Sequence, residues 1–153
     1  MIEKSIVNLL LADTGTAAVV GTKIYPNRTP QIMDITSAVD PGLLPRIWLF
    51  RVPGTTRARS RDGAAKLTFS RTQINMDAAN YEGAVAIREA VLAASNGGGM
   101  PLNGWTQTVM AGGVLVQYLF LEGDGDAFEV DIHGDNIGIQ RITMDALAAW
   151  YQP

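Results

Sequence analysis

Two β-rich runs held apart by a basic stretch constrain this chain more than any other feature. Pro45-Arg46-Ile47-Trp48-Leu49-Phe50-Arg51-Val52 is the first run and Lys66-Leu67-Thr68-Phe69-Ser70-Arg71-Thr72-Gln73-Ile74-Asn75-Met76 the second. Both are rich in β-branched and aromatic residues, the types that fit a pleated, half-buried surface. Between them, residues 53–65 carry Arg57, Arg59 and Arg61 and no branched aliphatic or aromatic side chain. Two strands holding out a basic loop therefore form the centre of the expected fold. In the first run Ile47 and Leu49 point one way and Trp48, Phe50 and Val52 the other, so a strand covered on both faces is expected. In the second, Leu67 and Phe69 are out of phase with Ile74 and Met76, which predicts either a bulge or strong twist near residues 70–72 or a first half that leaves the sheet as part of the basic arm.

A helix is predicted over residues 2–12, where Ile2, Ile6, Leu9 and Leu10 make one apolar stripe. A short helical turn follows Asp13 or Thr14 and stops at Gly21, and residues 22–25 read as a short strand closed by Pro26. Residues 27–43, bracketed by Pro30 and Pro41, read as an irregular loop. Asp77 is a candidate N-cap for a main helix over 78–95, ended by Asn96-Gly97-Gly98-Gly99. Taking Tyr81, Ala84, Val85, Val91 and Leu92 as its apolar arc puts Arg88 in the middle. A cation there pairs, snorkels or meets another subunit, so Arg88 is a candidate interface residue.

Residues 105–110 and 114–121 read as a strand interrupted at Gly112-Gly113, 122–126 as a turn, and 128–133 as a half-buried strand or hairpin arm. In the tail, Ile142, Met144, Ala146, Ala148 and Trp150 alternate, which favours a strand over a helix. The expected fold is α+β, in the order α-β-β-β-α-β-β. It has a mainly antiparallel sheet of four to five strands with two helices packed on it.

At 153 residues the chain suits a single domain, with extended loops at 27–43, 53–65 and 122–136. It has no cysteine, which removes disulfides, zinc–thiolate sites and cysteine nucleophiles together. The N-terminal apolar stretch is short and polar-interrupted, unlike a signal peptide or membrane span. A soluble, cytosolically made chain is expected.

Charge is segregated. Arg51, Arg57, Arg59, Arg61, Lys66 and Arg71 are six of the twelve Lys and Arg residues, and Glu122, Asp124, Asp126, Glu129, Asp131 and Asp135 six of the fifteen acids. A basic arm (Arg57, Arg59, Arg61, Lys66) and an acidic arm (Glu122 to Asp135) suit contacts between unlike surfaces. Two solvated loops are the plain alternative.

Catalytic chemistry is hard to place. His133, the single histidine, lies between Asp131 and Asp135 with no nucleophile assigned near it. Asp124-Gly125-Asp126 is similar to the start of a calcium loop, but Phe128 stands where the third ligand belongs. The 96–99 glycine run follows a helix, whereas phosphate loops precede one. The arginine arm suits phosphate contacts, yet it lacks a stacking aromatic and the protein is acidic overall. No enzyme activity, cofactor or metal is expected.

Taken in order, several short motifs resemble the tail terminator, or tail completion, proteins of lambda-like long-tailed bacteriophages. They are the N-terminal amphipathic helix, Thr22-Lys23-Ile24-Tyr25-Pro26, Thr29-Pro30-Gln31 and Leu44-Pro45 at the start of a strand. Arg71-Thr72-Gln73-Ile74-Asn75-Met76-Asp77 then runs into an alanine-rich helix, and the closing strands carry an acidic turn. The chain departs from the pattern in a longer acidic segment, 123–136, and a more basic 53–65 arm. The resemblance implies a virion protein, assembled in the host cytoplasm, that forms a sixfold ring at the tail–neck junction. That ring ends tube polymerisation and joins the tail to the head. Its implied partners are copies of itself, the tail tube protein, a neck, stopper or connector protein, and DNA only as it passes through the lumen. No membrane is involved. The alternatives are a head-side neck (stopper or head-completion) protein, and a small cytosolic ligand- or calcium-binding domain with 27–43 as a lid and Asp124 and Asp126 as ligands.

Overall fold

The apolar stripe of residues 2–12 forms helix α1 (Ile2–Ala12) and buries Ile2, Ile6, Leu9 and Leu10. Asp13 separates it from α2 (Thr14–Val20) and caps the latter. Its Oδ2 accepts from the Thr16 backbone N–H at 2.7 Å and from the Thr16 hydroxyl at 2.9 Å. Its Oδ1 accepts from the Ser95 N–H at 3.2 Å, just beyond α3 (Tyr81–Ala93). One carboxylate thus ties the α1–α2 corner to the end of a distant helix. Burial opposes its ionisation, but the hydrogen bonds from Thr16, Ser95 and Gly15 outweigh burial and hold its pKa below the usual aspartate value.

The computed structural model describes residues 2–26, 44–53, 56–57, 67–97, 99–110, 113–129 and 139–151. The expected loop at 27–43 and most of the 53–65 arm lie outside them. The strands are β1 (Ile24–Pro26), β2 (Arg46–Arg51), β3 (Thr56–Arg57), β4 (Leu67–Ala78), β5 (Trp105–Met110), β6 (Val114–Glu129) and β7 (Ile139–Tyr151). They form one sheet in the order β1-β2-β4-β7-β6-β5, with β3 paired on β4. Only β1–β2 is parallel; the other pairs are antiparallel. The α+β class and antiparallel character match expectation, while the sheet is larger and the helices number three among the described residues.

All three helices serve one face of the sheet. The core between them holds Ile47 and Leu49 of β2, Ile74 and Met76 of β4, and Ile142, Met144 and Trp150 of β7. Helix α1 touches β1 and β2 and also β5 at the opposite edge, so the sheet curls around it. Glu3 of α1 is buried and paired with Arg51 of β2, Oε2 accepting from Nη2 at 3.0 Å. Beside the cis Leu44–Pro45 peptide, the Lys23 ammonium donates to the Leu44 carbonyl at 2.9 Å, joining the approaches to β1 and β2.

Five expectations are corrected. First, β2 is not covered on both sides: Phe50 is exposed and Trp48 half-buried, because among the described residues no helix packs on the outer face. Second, β4 has no bulge; its pairing with β7 runs unbroken from Leu67 to Ala78. Phase is kept by turning Thr68, Ser70 and Thr72 inward and Leu67 and Phe69 outward. The Trp150 indole N–H satisfies Ser70 Oγ at 3.0 Å, which makes a buried hydroxyl tolerable. Third, Asp77 lies inside β4, and Asn80 caps α3 by accepting from the Gly83 N–H at 2.7 Å. The buried arc of α3 is Ala84, Ile87 and Val91, so Tyr81 is exposed and Arg88 lies at its margin. Fourth, residues 105–110 and 114–121 are two antiparallel strands rather than one interrupted strand.

Fifth, 122–126 is not a turn but part of β6, which carries two register shifts against β7. The shift between Val116 and Tyr118 changes the inward set from Val114 and Val116 to Leu119 and Leu121. The second, between Glu122 and Gly125, contains Gly123 at φ 75°, a backbone that glycine adopts without steric cost. Expected loop 122–136 is therefore strand as far as Glu129.

Candidate interface surfaces

Register alone sorts the outer face into rows that cross the sheet. Arg46, Asp77 and Arg141 are directly opposed on β2, β4 and β7. The next rows are Trp48–Asn75–Thr143–Gly125, then Phe50–Gln73–Asp145–Glu122. Beyond them come Arg71–Leu147–Phe120, Phe69–Ala149–Tyr118 and Leu67–Tyr151–Leu115–Val109. One half of the face thus carries most of the charged and polar side chains, with Trp48 and the exposed Phe50 on β2, and the other is mainly aliphatic and aromatic, with Arg71 at its border.

The polar half is anchored by Asp77, which is fully buried. Its Oδ2 accepts from Arg46 Nε at 2.9 Å and the Trp48 indole N–H at 3.1 Å, and its Oδ1 from Arg141 Nε at 2.6 Å. The Arg141 guanidinium also sits 5.1 Å from the Trp48 ring centroid, a cation–π arrangement. A carboxylate between two guanidiniums clasps three adjacent strands.

Two rows away, Arg71 pairs with Asp145 on the neighbouring strand. The hydrogen bond and charge of Asp145, with the Glu122 charge beyond it, raise the Arg71 pKa further. Arg71, Glu122, Gly123, Asp145 and Leu147 line an open cleft of about 340 Å³. Asp145 Oδ1 is buried there without a hydrogen-bond partner.

In the apolar half, Val109, Phe120, Phe69 and Leu115 are 55, 48, 37 and 37 % exposed. Tyr118 and Leu147 lie half-buried among them, and the Tyr118 and Phe120 rings are 5.6 Å apart and tilted. The edge strand β5 beside this patch is turned in on itself. The Thr106 carbonyl accepts from the Thr108 hydroxyl at 2.8 Å, and the Thr108 carbonyl from the Trp105 indole at 3.0 Å. Gln107 between them has φ 42°. Such an edge is a poor template for strand addition.

Of the basic arm, Arg57 falls on β3, opposite Thr68 of β4, while Arg59, Arg61 and Lys66 lie outside the described residues. Of the acidic arm, Glu122, Asp124, Asp126 and Glu129 fall on β6, and Asp131 and Asp135 lie outside, as does His133. Glu122 is exposed at the border between the two halves of the outer face. Arg88 donates to Glu89 Oε1 from Nη2 at 2.7 Å, an intramolecular pair on one helix. Among the described residues no group of three or more potential metal ligands is found.

Sequence reading missed the Arg46–Asp77–Arg141 clasp, the Arg71–Asp145 pair and the apolar patch. The signal for the patch was present: Leu67 and Phe69 stood out of phase with the core residues of their own strand. The clasp had no such signal, because its members become neighbours only through strand register.

No family model matches the chain, and no curated protein matches it. Among solved structures, a chain of the "Virion of native gene transfer agent (GTA) particle" shares its fold. The likeness covers 99 % of this chain and 95 % of that one, with a TM-score of 0.60 and 19 % identity.

Proposed function

We propose that this chain is a structural virion protein whose work is assembly rather than catalysis. In the finer reading it forms a hexameric ring on the head-proximal end of a phage tail tube, ends tube polymerisation and joins the tail to the neck. The observation that carries the reading is the fold shared over nearly the whole chain with a component of a gene transfer agent virion. The ordered motifs that resemble tail terminators add to it, and so does the split outer face, with an exposed apolar patch of the kind that marks protein contacts. A closed ring built from heterologous contacts needs two unlike patches per subunit. The basic residues Arg57, Arg59 and Arg61 are assigned to a neighbour's acidic segment or to the tube end.

The test is electron microscopy of particles from a phage with a stop codon at Glu3. Overlong, irregular tubes beside tailless heads are expected. Normal-length tails detached from heads would reassign the protein to the head side of the neck, and intact virions would overturn the virion reading. Charge reversal at Arg57, Arg59 and Arg61 together is expected to block ring formation or tail capping.

A further inference from the structure

Large apolar side chains are exposed at seven described positions, and four of them, Phe69, Val109, Leu115 and Phe120, form the apolar half of the outer face. With side chains of roughly 150–200 Å² each, exposed by a third to a half, they present on the order of 300 Å² of apolar surface. That is enough for the dry centre of an interface of about 800 Å² per partner, rimmed by the polar row at Glu122. Helices already cover the other face of the sheet, so a helical layer supplied from outside would complete a three-layer sandwich.

This chain carries a matching surface. Helix α1 is buried on most of its circumference, yet Lys4 is exposed, Asn8 half-exposed and Leu11 39 % exposed. Those positions fall at i, i+4 and i+7, on one narrow stripe. Lys4 and Leu11 are about 10 Å apart along the helix axis. On the outer face, Glu122 lies about 7 Å along the strand from Phe120 and about 13 Å from Tyr118. A helix laid with Leu11 between Phe120 and Tyr118 therefore brings Lys4 to Glu122. Apolar meets apolar and ammonium meets carboxylate at the same spacing.

We propose that the apolar half of the outer sheet face seats a second copy of this chain, which presents the Lys4–Leu11 stripe of its helix α1. The contact is heterologous, since the two surfaces lie on different sides of the fold; a heterologous contact closes a ring where its rotation returns to the first copy, which is what the sixfold ring proposed above requires of it. Strand addition at β5 is not the route, because that edge spends two carbonyls on its own side chains. The inference deepens the ring assignment and rests on it.

The absence of cysteine gives a clean cross-linking background. A short thiol-specific cross-linker is applied to Leu11→Cys, to Phe120→Cys and to the double variant, in solution and on purified tail tubes. A ladder ending in a closed ring is expected from the double variant alone. Phe120→Asp and Val109→Asp, whose folding is checked by circular dichroism, are expected to weaken self-association on the order of thirtyfold or more, as loss of a central anchor does. Cross-linking of Phe120→Cys by itself would show like faces meeting and overturn the proposal. So would a ring of unchanged mass in Phe120→Asp, or no ladder from the double variant while the wild type assembles; in each case the ring reading survives. A wild type that stays monomeric both in solution and on tubes would instead remove the ring reading.

Discussion

Replacing Asp77 by asparagine isolates the clasp on the outer face. The native carboxylate is 0 % exposed and accepts hydrogen bonds from Arg46, Trp48 and Arg141, with Arg46 itself 4 % exposed and Arg141 15 %. Asparagine keeps the volume but removes the charge, and its amide nitrogen turns a donor toward donors. Breaking a buried ion pair by removing one partner costs about 3–5 kcal/mol. A domain of this size is stable by about 5–15 kcal/mol, so the loss is a large fraction of the total. At a urea m-value of about 2 kcal/mol/M, the midpoint falls by about 1.5–2.5 M with the slope unchanged. The matched control replaces all three charges together: Arg46→Met, Asp77→Leu, Arg141→Met. It is expected to unfold closer to wild type than Asp77→Asn does, since no charge is then left behind in a dry site. A midpoint shift under about 0.5 M for Asp77→Asn, or a triple variant weaker than the single one, would refute the reasoning.

Two further stability predictions come from named contacts. Asp13→Ala removes the α2 cap and the tie to Ser95 and is expected to cost about 1–2 kcal/mol at neutral pH, read by urea unfolding. Because the folded pKa of Asp13 is depressed, its contribution is fully present above the ordinary value of 3.8 and is lost as pH falls through the lower folded value. The difference between wild type and Asp13→Ala should therefore shrink only in that acidic window; a difference that grows on acidification contradicts the assignment. Gly125→Ala sets a Cβ 2.7 Å from Thr143 Oγ1, on a stiff β-branched side chain, and is expected to cost about 1–3 kcal/mol. Adding Thr143→Ala should return most of that loss in a thermal melt, and a double variant no better than Gly125→Ala would place the strain elsewhere.

Local sequence determined the elements whose stabilising contacts lie within a few residues. The i, i+4, i+7 stripe of α1 and the period-two pattern of 142–150 each carry their own signature, since a helix or strand must bury one side of itself whatever it packs against. The basic and acidic concentrations were legible for the same reason, being properties of composition. Tertiary structure decided the rest. The cap of α3 passed from Asp77 to Asn80 because Asp77 is claimed by arginines on two other strands, and no local rule contains that competition. The phase of β4 was settled by Trp150, eighty residues away, whose indole makes an inward Ser70 acceptable and sends Phe69 outward. The two shifts in β6 likewise exist only relative to β7. Separation of the outer face into a charged half and an apolar half is a consequence of strand register, and register is fixed where distant strands share one buried face.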